Sequence, residues 1–147
     1  MPDSRVIGVE CKAYRNTGTY GTPTWTEVTI VGDATISGER PEADMAARGD
    51  VVAKFRVGIL RWQVEFDLVY QNGHAGYDAI RDAFLNKTVL DMLFLDGASG
   101  TTDNEGLRSE LYFTNFGRVE PMEDKLTVPV TGRPADTSNA PTWYTVA

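Results

Sequence analysis

Cysteine, histidine and long apolar runs are nearly missing from this 147-residue chain, and each shortage removes a class of function. Cys11 is single, so no disulfide can form within the chain, and a lone thiol fits a reducing compartment. Its alternation with Val9 and Ala13 predicts a buried, structural thiol. His74 is the single histidine, which forecloses multi-histidine metal sites and leaves one candidate general base. It sits in the polar link Asn72-Gly73-His74 with no nucleophile pattern beside it. No C-x-x-C, H-E-x-x-H, G-x-S-x-G or phosphate-cradling glycine loop occurs. Asp96, Asp103, Asn104 and Glu105 offer oxygens, but their spacing fails the D-x-D-x-D-G calcium loop. Val89–Leu95 is interrupted by Asp91 and falls far short of the ~20 apolar residues of a membrane span. The opening MPDSRVIGVE has neither a basic nor an apolar region, so no secretory leader is expected. Glu65 and Asp67 share a strand face and could serve as a carboxylate pair, although a solvated sheet face is the plainer reading. The expectation is a non-enzyme without cofactor or metal.

What is present is an ordinary globular composition with an acidic balance. Hydrophobic residues make up 41% and charged residues 24%. Fourteen Lys and Arg stand against 21 Asp and Glu, for a net charge of −7. That balance argues against a grip on nucleic-acid phosphates, whose affinity comes from cations. A chain of this length is expected to form one domain, residues 1–147, burying roughly 68–70% of its unfolded surface. Residues 1–20 read as an N-terminal strand and turn region, and residues 134–147 as a C-terminal tail.

Alternation at period two dominates the sequence. A first strand is predicted over Arg5–Tyr14, followed by the turn-rich Asn16–Thr26. Thr26–Val31 reads as a short strand, Gly32-Asp33 as a turn, and Ala34–Ser37 as a strand pairing back. Gly38–Asp50 is a long polar loop in which Pro41 could open one or two helical turns. Val51–Tyr70 carries the strongest strand signal, broken by a turn at Gly58. There Trp62, Val64, Phe66 and Leu68 alternate with Gln63, Glu65 and Asp67, the pattern of a half-buried antiparallel sheet. Leu107–Val119 and Lys125–Arg133 read as further strands, and Pro129 predicts that the latter is an edge or bulged. Trp143 and Tyr144 suggest an anchored tail.

One segment has a helical period. In residues 77–86, Tyr77, Ile80 and Phe84 share an apolar side, with Asp78, Arg81 and Asp82 opposite. Asn86 is the expected left-handed cap, and Lys87 a cation at the carboxyl end. About ten residues are too few for a stable isolated helix, so this one must dock on a sheet. Val89–Leu95 would be the buried strand beside it.

Three stretches together resemble phage major tail tube proteins. They are GYDAIRDAFLN with LDMLFLDG after it, TNFGRVEPMEDKLTVPVTGRP over Thr114–Pro134, and EADMAARGD over Glu42–Asp50 with the following QVEFDLVY. The likeness runs from about Thr24 to Trp143. It implies a mainly β fold: an antiparallel β-sandwich or barrel-like domain with one flanking helix, about 77–86, and a long loop, about 38–50. It implies hexameric rings stacked as a hollow tube, whose inner wall is a continuous β-barrel and through which DNA passes without specific binding. The partners implied are further copies of the chain, a tape-measure protein, a tail terminator and tail-tip proteins. The location implied is the virion tail, assembled in the host cytoplasm. On this reading Glu65, Asp67 and Gln63 are lumen-facing candidates, with Lys54 and Arg56 on the preceding strand either neutralising part of that wall or lying at a subunit contact. Glu42, Asp44, Met45 and Arg48 are candidates for contact between rings, and Tyr77, Ile80 and Phe84 pack the helix. A secretion-system tube or head–tail joining ring shares the implied fold. From another class, a ligand-binding β-sandwich module would use the three Trp and six Tyr as stacking platforms.

Overall fold

The computed structural model describes residues 8–147. The strand predicted from Arg5 therefore lies partly outside the described residues. Within them Gly8–Glu10 is a 3-10 turn and the first strand, β1, begins only at Lys12 and ends at Asn16. Cys11 precedes β1 and is exposed, so the expectation of a buried thiol is overturned. The reason is local: the turn at Gly8–Glu10 breaks the alternation before it reaches Cys11.

The remaining elements are β2 (Trp25–Glu27), β3 (Val31–Glu39), β4 (Glu42–Asp44), β5 (Phe55–Val57) and β6 (Arg61–Val69), then α1 (Ala75–Asn86), β7 (Leu90–Leu95), β8 (Glu105–Phe116), β9 (Thr127–Pro134) and β10 (Thr142–Thr145). Eight strands form one antiparallel sheet in the order β2-β1-β7-β8-β9-β6-β3, with β10 also on β8. Among the described residues β4 and β5 pair only with each other. The mainly β, antiparallel class with one helix is as the sequence predicts.

β8 carries the sheet from one half of the fold to the other. Its first residues pair with β10, as Leu107 with Trp143, while Leu111–Phe116 pair with β9. A register shift between Phe113 and Asn115 bends it, as an extra unpaired residue does. The sheet thus folds over a shared core that includes Val64, Phe66, Leu68, Met92, Phe94, Leu107, Leu111, Phe113, Val128 and Val130. Close backbone approach matters at one point. A Cβ on Gly106 would fall 1.5 Å from the Phe94 carbonyl oxygen, so the β7–β8 contact requires glycine there.

α1 is two residues longer at its start than the predicted helix, because His74 caps it: its Nδ1 accepts from Gly76 N at 3.1 Å. At the other end Lys87, rather than Asn86, takes the left-handed conformation, φ 56°. Tyr77 and Ile80 are buried, and Phe84 is half-buried against the Phe116 ring at 5.7 Å. The helix packs on β8 and β7. On its outer side Arg81 hydrogen-bonds Asp82 and pairs with Asp78. The hydrogen bond to Asp82, reinforced by the two carboxylates, raises the guanidinium pKa further above its ordinary value.

Three strand expectations are corrected. Gly32-Asp33 is not a turn: β3 runs through it, with a register irregularity between Val31 and Ala34 absorbing the two residues. β9 is not an edge, since β6 and β8 flank it. Pro129 is tolerated because its carbonyl accepts from Gly117, 3.2 Å away, so its missing N–H faces the point where β8 has ended at Phe116. Val51–Val57 is mostly not strand, and only Phe55–Val57 pairs.

On the outer face of β1, β7 and β8 an ion pair pins the turn-rich segment. Arg108 donates to Asp91 at 2.9 Å and to the Tyr20 carbonyl at 2.8 Å. Its guanidinium lies 3.9 Å from the Tyr20 ring centre and 4.9 Å from that of Trp25. The C-terminal segment closes this side, with Val146 buried beside Tyr14, Leu93 and Leu95. The tail is anchored through β10.

Candidate functional site

Two surfaces stand out from the packed body, and both grow from the β3–β6 pair. The first is the outward face of β6 and its neighbours. Val64, Phe66 and Leu68 point inward, at most 2% exposed, so the pleat turns Glu65 and Asp67 to solvent. Register extends the row sideways: Thr35, Glu65, Thr131 and Asn115 are successive partners across β3, β6, β9 and β8. Ser37 lies opposite Gln63, and Arg133 opposite Tyr112. Gln63 is half-buried and donates to Glu65. Among the described residues neither Glu65 nor Asp67 is in an ion pair. The result is a four-strand-wide polar face with an acidic centre and with Arg61 and Arg133 toward one end.

Lys54 and Arg56 do not belong to that wall. They lie on the second surface, a two-stranded arm. Arg40 leaves β3, and Pro41 and Gly58 pair at the arm's base: Gly58 N donates to the Pro41 carbonyl, and Arg40 donates to that of Gly58 at 3.0 Å. Glu42–Asp44 then pairs with Phe55–Val57, and Met45 N donates to the Lys54 carbonyl at 2.7 Å. At the tip Ala46 N donates to the Asp44 carboxylate and Asp50 N to the Ala47 carbonyl. The loop predicted over Gly38–Asp50 is thus half of a ribbon spanning 40–60, and Pro41 opens a strand rather than helical turns.

The arm is apolar and bare. Of 13 exposed large hydrophobic residues among the described residues, seven lie on it: Met45, Val51, Val52, Phe55, Val57, Ile59 and Leu60. Val51 is 98% exposed and Phe55 56%. Such a concentration marks a surface that becomes covered elsewhere. Glu42, Asp44, Met45 and Arg48 fall on this arm, all exposed. Sequence reasoning missed Phe55 and Val57, because their alternation reads as a buried strand, and it singled out neither Ile59 nor Leu60. The signal available was the polar stretch before them, which leaves this ribbon no neighbour but itself.

No family model matches the chain, and no curated protein matches it in sequence. Solved structures do match. One is the SPP1 tail tube, determined by solid-state NMR and cryo-EM, with TM-score 0.73 at 14% identity over 88% of this chain and 75% of that one. This chain has the tail-tube fold. The tail of an empty gene transfer agent particle, refined with C6 symmetry, matches with TM-score 0.71 at 10% identity over 96% of this chain and 98% of the other. A chain of an extracellular contractile injection system, from a sheath–tube complex, matches with TM-score 0.63 at 10% identity, covering 99% and 95%. The tail-tube fold therefore accounts for nearly the whole chain.

Proposed function

We propose that this chain is a structural protein that self-assembles into six-fold rings stacked as a hollow tail tube. The observation that carries the reading is the near end-to-end likeness to tail-tube chains, two of them from a C6-symmetric tail and a sheath–tube complex. Two surfaces support it. The polar face would line the channel, with Glu65 and Asp67 repelling a polyanion so that DNA slides without the counterion release that rewards binding. The apolar arm, with Glu42, Asp44, Met45 and Arg48, would bridge to the next ring. Tape-measure, terminator and tail-tip proteins are the expected partners, and the virion tail the expected location. The whole chain, 1–147, would act as a single tube module, with a scaffolding role and no catalytic one.

A second reading, a tube of an injection or secretion system, is favoured by the likeness to the contractile injection system chain. A ligand-binding sandwich is weakly supported, because Trp62 and Trp143 stack on each other at 6.3 Å instead of forming a free platform.

Negative-stain microscopy of the purified chain tests the proposal. Hollow tubes or six-fold rings are the expected result, and a monodisperse monomer at high concentration overturns it. Tubes that package beside capsids and pass DNA separate the virion reading from the injection-system one.

A further inference from the structure

Charge is sorted along the strands that build the polar face. β3, β6 and β9 carry six charged side chains. Asp33, Glu65 and Asp67 occupy the middle and one end, while Arg61, Arg133 and Glu39 occupy the other. The first group sums to −3 and the second, two arginines less one glutamate, to +1. Arg40, next in the chain after Glu39, is held by the Gly58 carbonyl. Along β6 Arg61 and Asp67 are six residues apart, roughly 20 Å at ~3.3 Å per residue. That exceeds the ~8 Å screening length of physiological salt, so the two ends act as separate fields and do not cancel.

The basic end is built around a cleft. Arg61 and Arg133 line it with Ser37, Glu39, Trp62 and Gln63, and its volume is about 290 Å³. That is roughly ten times the ~30 Å³ share of one liquid water, so the cleft admits a polyatomic anion. Trp62 is fixed from two sides. Its ring lies against Gly38, where a Cβ would fall 2.9 Å away, and stacks on Trp143 at 6.3 Å. Glu39 is the register partner of Arg61, yet the two form no ion pair, and among the described residues neither Arg61 nor Arg133 is in one. Planar guanidinium forks meet phosphate oxygens two at a time, and the Ser37 hydroxyl adds a donor. The Gln63 amide is turned to Glu65, and the Glu39 carboxylate weakens the field.

We propose that the Arg61–Arg133 cleft is a phosphate-contact site on the channel wall. The inference rests on the tube reading above and refines it, because the wall is then not uniformly repulsive. Each ring would present a cationic belt and an acidic one. A DNA duplex carries a charge every ~1.7 Å of its axis, so it offers an oxyanion to every belt at every moment of its passage. The arginines give it brief, salt-dependent contacts, and the carboxylates beyond them keep those contacts from adding up to a stable complex.

Sedimentation of assembled tubes with a short fluorescent DNA duplex tests this. Wild-type tubes should retain the duplex at low salt and release it as salt rises. Arg61→Gln with Arg133→Gln should weaken retention about tenfold. Arg61→Lys with Arg133→Lys should restore part of it, since the charge returns without the fork. Equal retention by wild type and the Gln variant overturns the inference. So does equal retention of polyglutamate, which would make the cleft a seat for an acidic protein chain. The dilute monomer supplies a measurement that needs no assembly. On adding the duplex, the side-chain N–H resonances of Arg61 and Arg133 should move and those of Arg56 and Arg81 should not. Uniform or absent shifts overturn the inference even where the Gln variant fails to assemble. Wild-type tubes that form normally and retain no duplex overturn it and leave the tube reading standing. An unmodified chain that never assembles overturns the tube reading and the belt with it.

Discussion

Strands β5 and β6 are separated by only three residues and are built from the same kind of alternating sequence, yet they meet opposite fates. In β6, Val64 and Phe66 are 0% and 2% exposed, while in β5 Phe55 and Val57 are 56% and 61% exposed. The difference lies in what flanks them. β6 sits between β3 and β9 and faces α1 and β7 across the core, whereas β5 has β4 as its single partner. An isolated two-stranded ribbon is marginal in water, so the arm stands because its base is fastened to β3 and β6. One strand is enclosed by its neighbours, and the other stands exposed on a ribbon of two.

The contrast can be broken most severely from the β6 side. Phe66→Ala should cost roughly 3–5 kcal/mol of folding stability, because its ring packs on Phe94 at 5.8 Å and Phe113 at 6.4 Å with no room to collapse. Urea unfolding followed by tryptophan fluorescence measures this, and a loss under about 1 kcal/mol would mean the core is looser than its burial implies. Next in size is removal of the arm's first strand. Deleting Glu42–Arg48 should abolish tube formation while the chain stays a folded monomer with near-unchanged Tm, read by microscopy and circular dichroism together. Tubes of normal length from the deletion variant would refute the arm's role.

Glu65→Lys with Asp67→Lys tests the polar face of β6. Tubes should still form, since both side chains point away from the core, but DNA passage should slow as cations in the channel gain phosphate contacts. Ejection kinetics at two salt concentrations check it, and unchanged kinetics would remove these residues from the channel wall. The smallest expected effect sharpens the comparison most. Phe55→Ala, the same chemical change as Phe66→Ala, should alter monomer stability by no more than about 0.5 kcal/mol. Its cost should appear only in the concentration needed for assembly.

Much of this was legible in the residues. The alternation through Trp62–Leu68 specified which side chains enter the core, because period-two sequences have only two faces and one of them was acidic. The Tyr77, Ile80 stripe and the need for docking came from helical spacing in the same way. Leu107, Ser109, Leu111 and Phe113 likewise share the buried face of β8. What failed did so where a neighbour decides. Pro129 predicts an edge or a bulge, and it sits inside the sheet because β8 ends beside it. Cys11 was assigned to a strand that had not yet begun. Phe55 carries the same local signal as Phe66, and no window of sequence records that one has a layer across from it.

By itself, then, the sequence determined the class of the molecule: a β protein with one braced helix, an acidic surface and no metal or nucleophile motif. It did so because side-chain periodicity and residue chemistry are local properties. The pairing order, the bend in β8 and the bare arm were decided only by tertiary structure. Burial is a relation between segments distant in the chain, and a strand's sequence is silent about whether a partner will arrive to cover it.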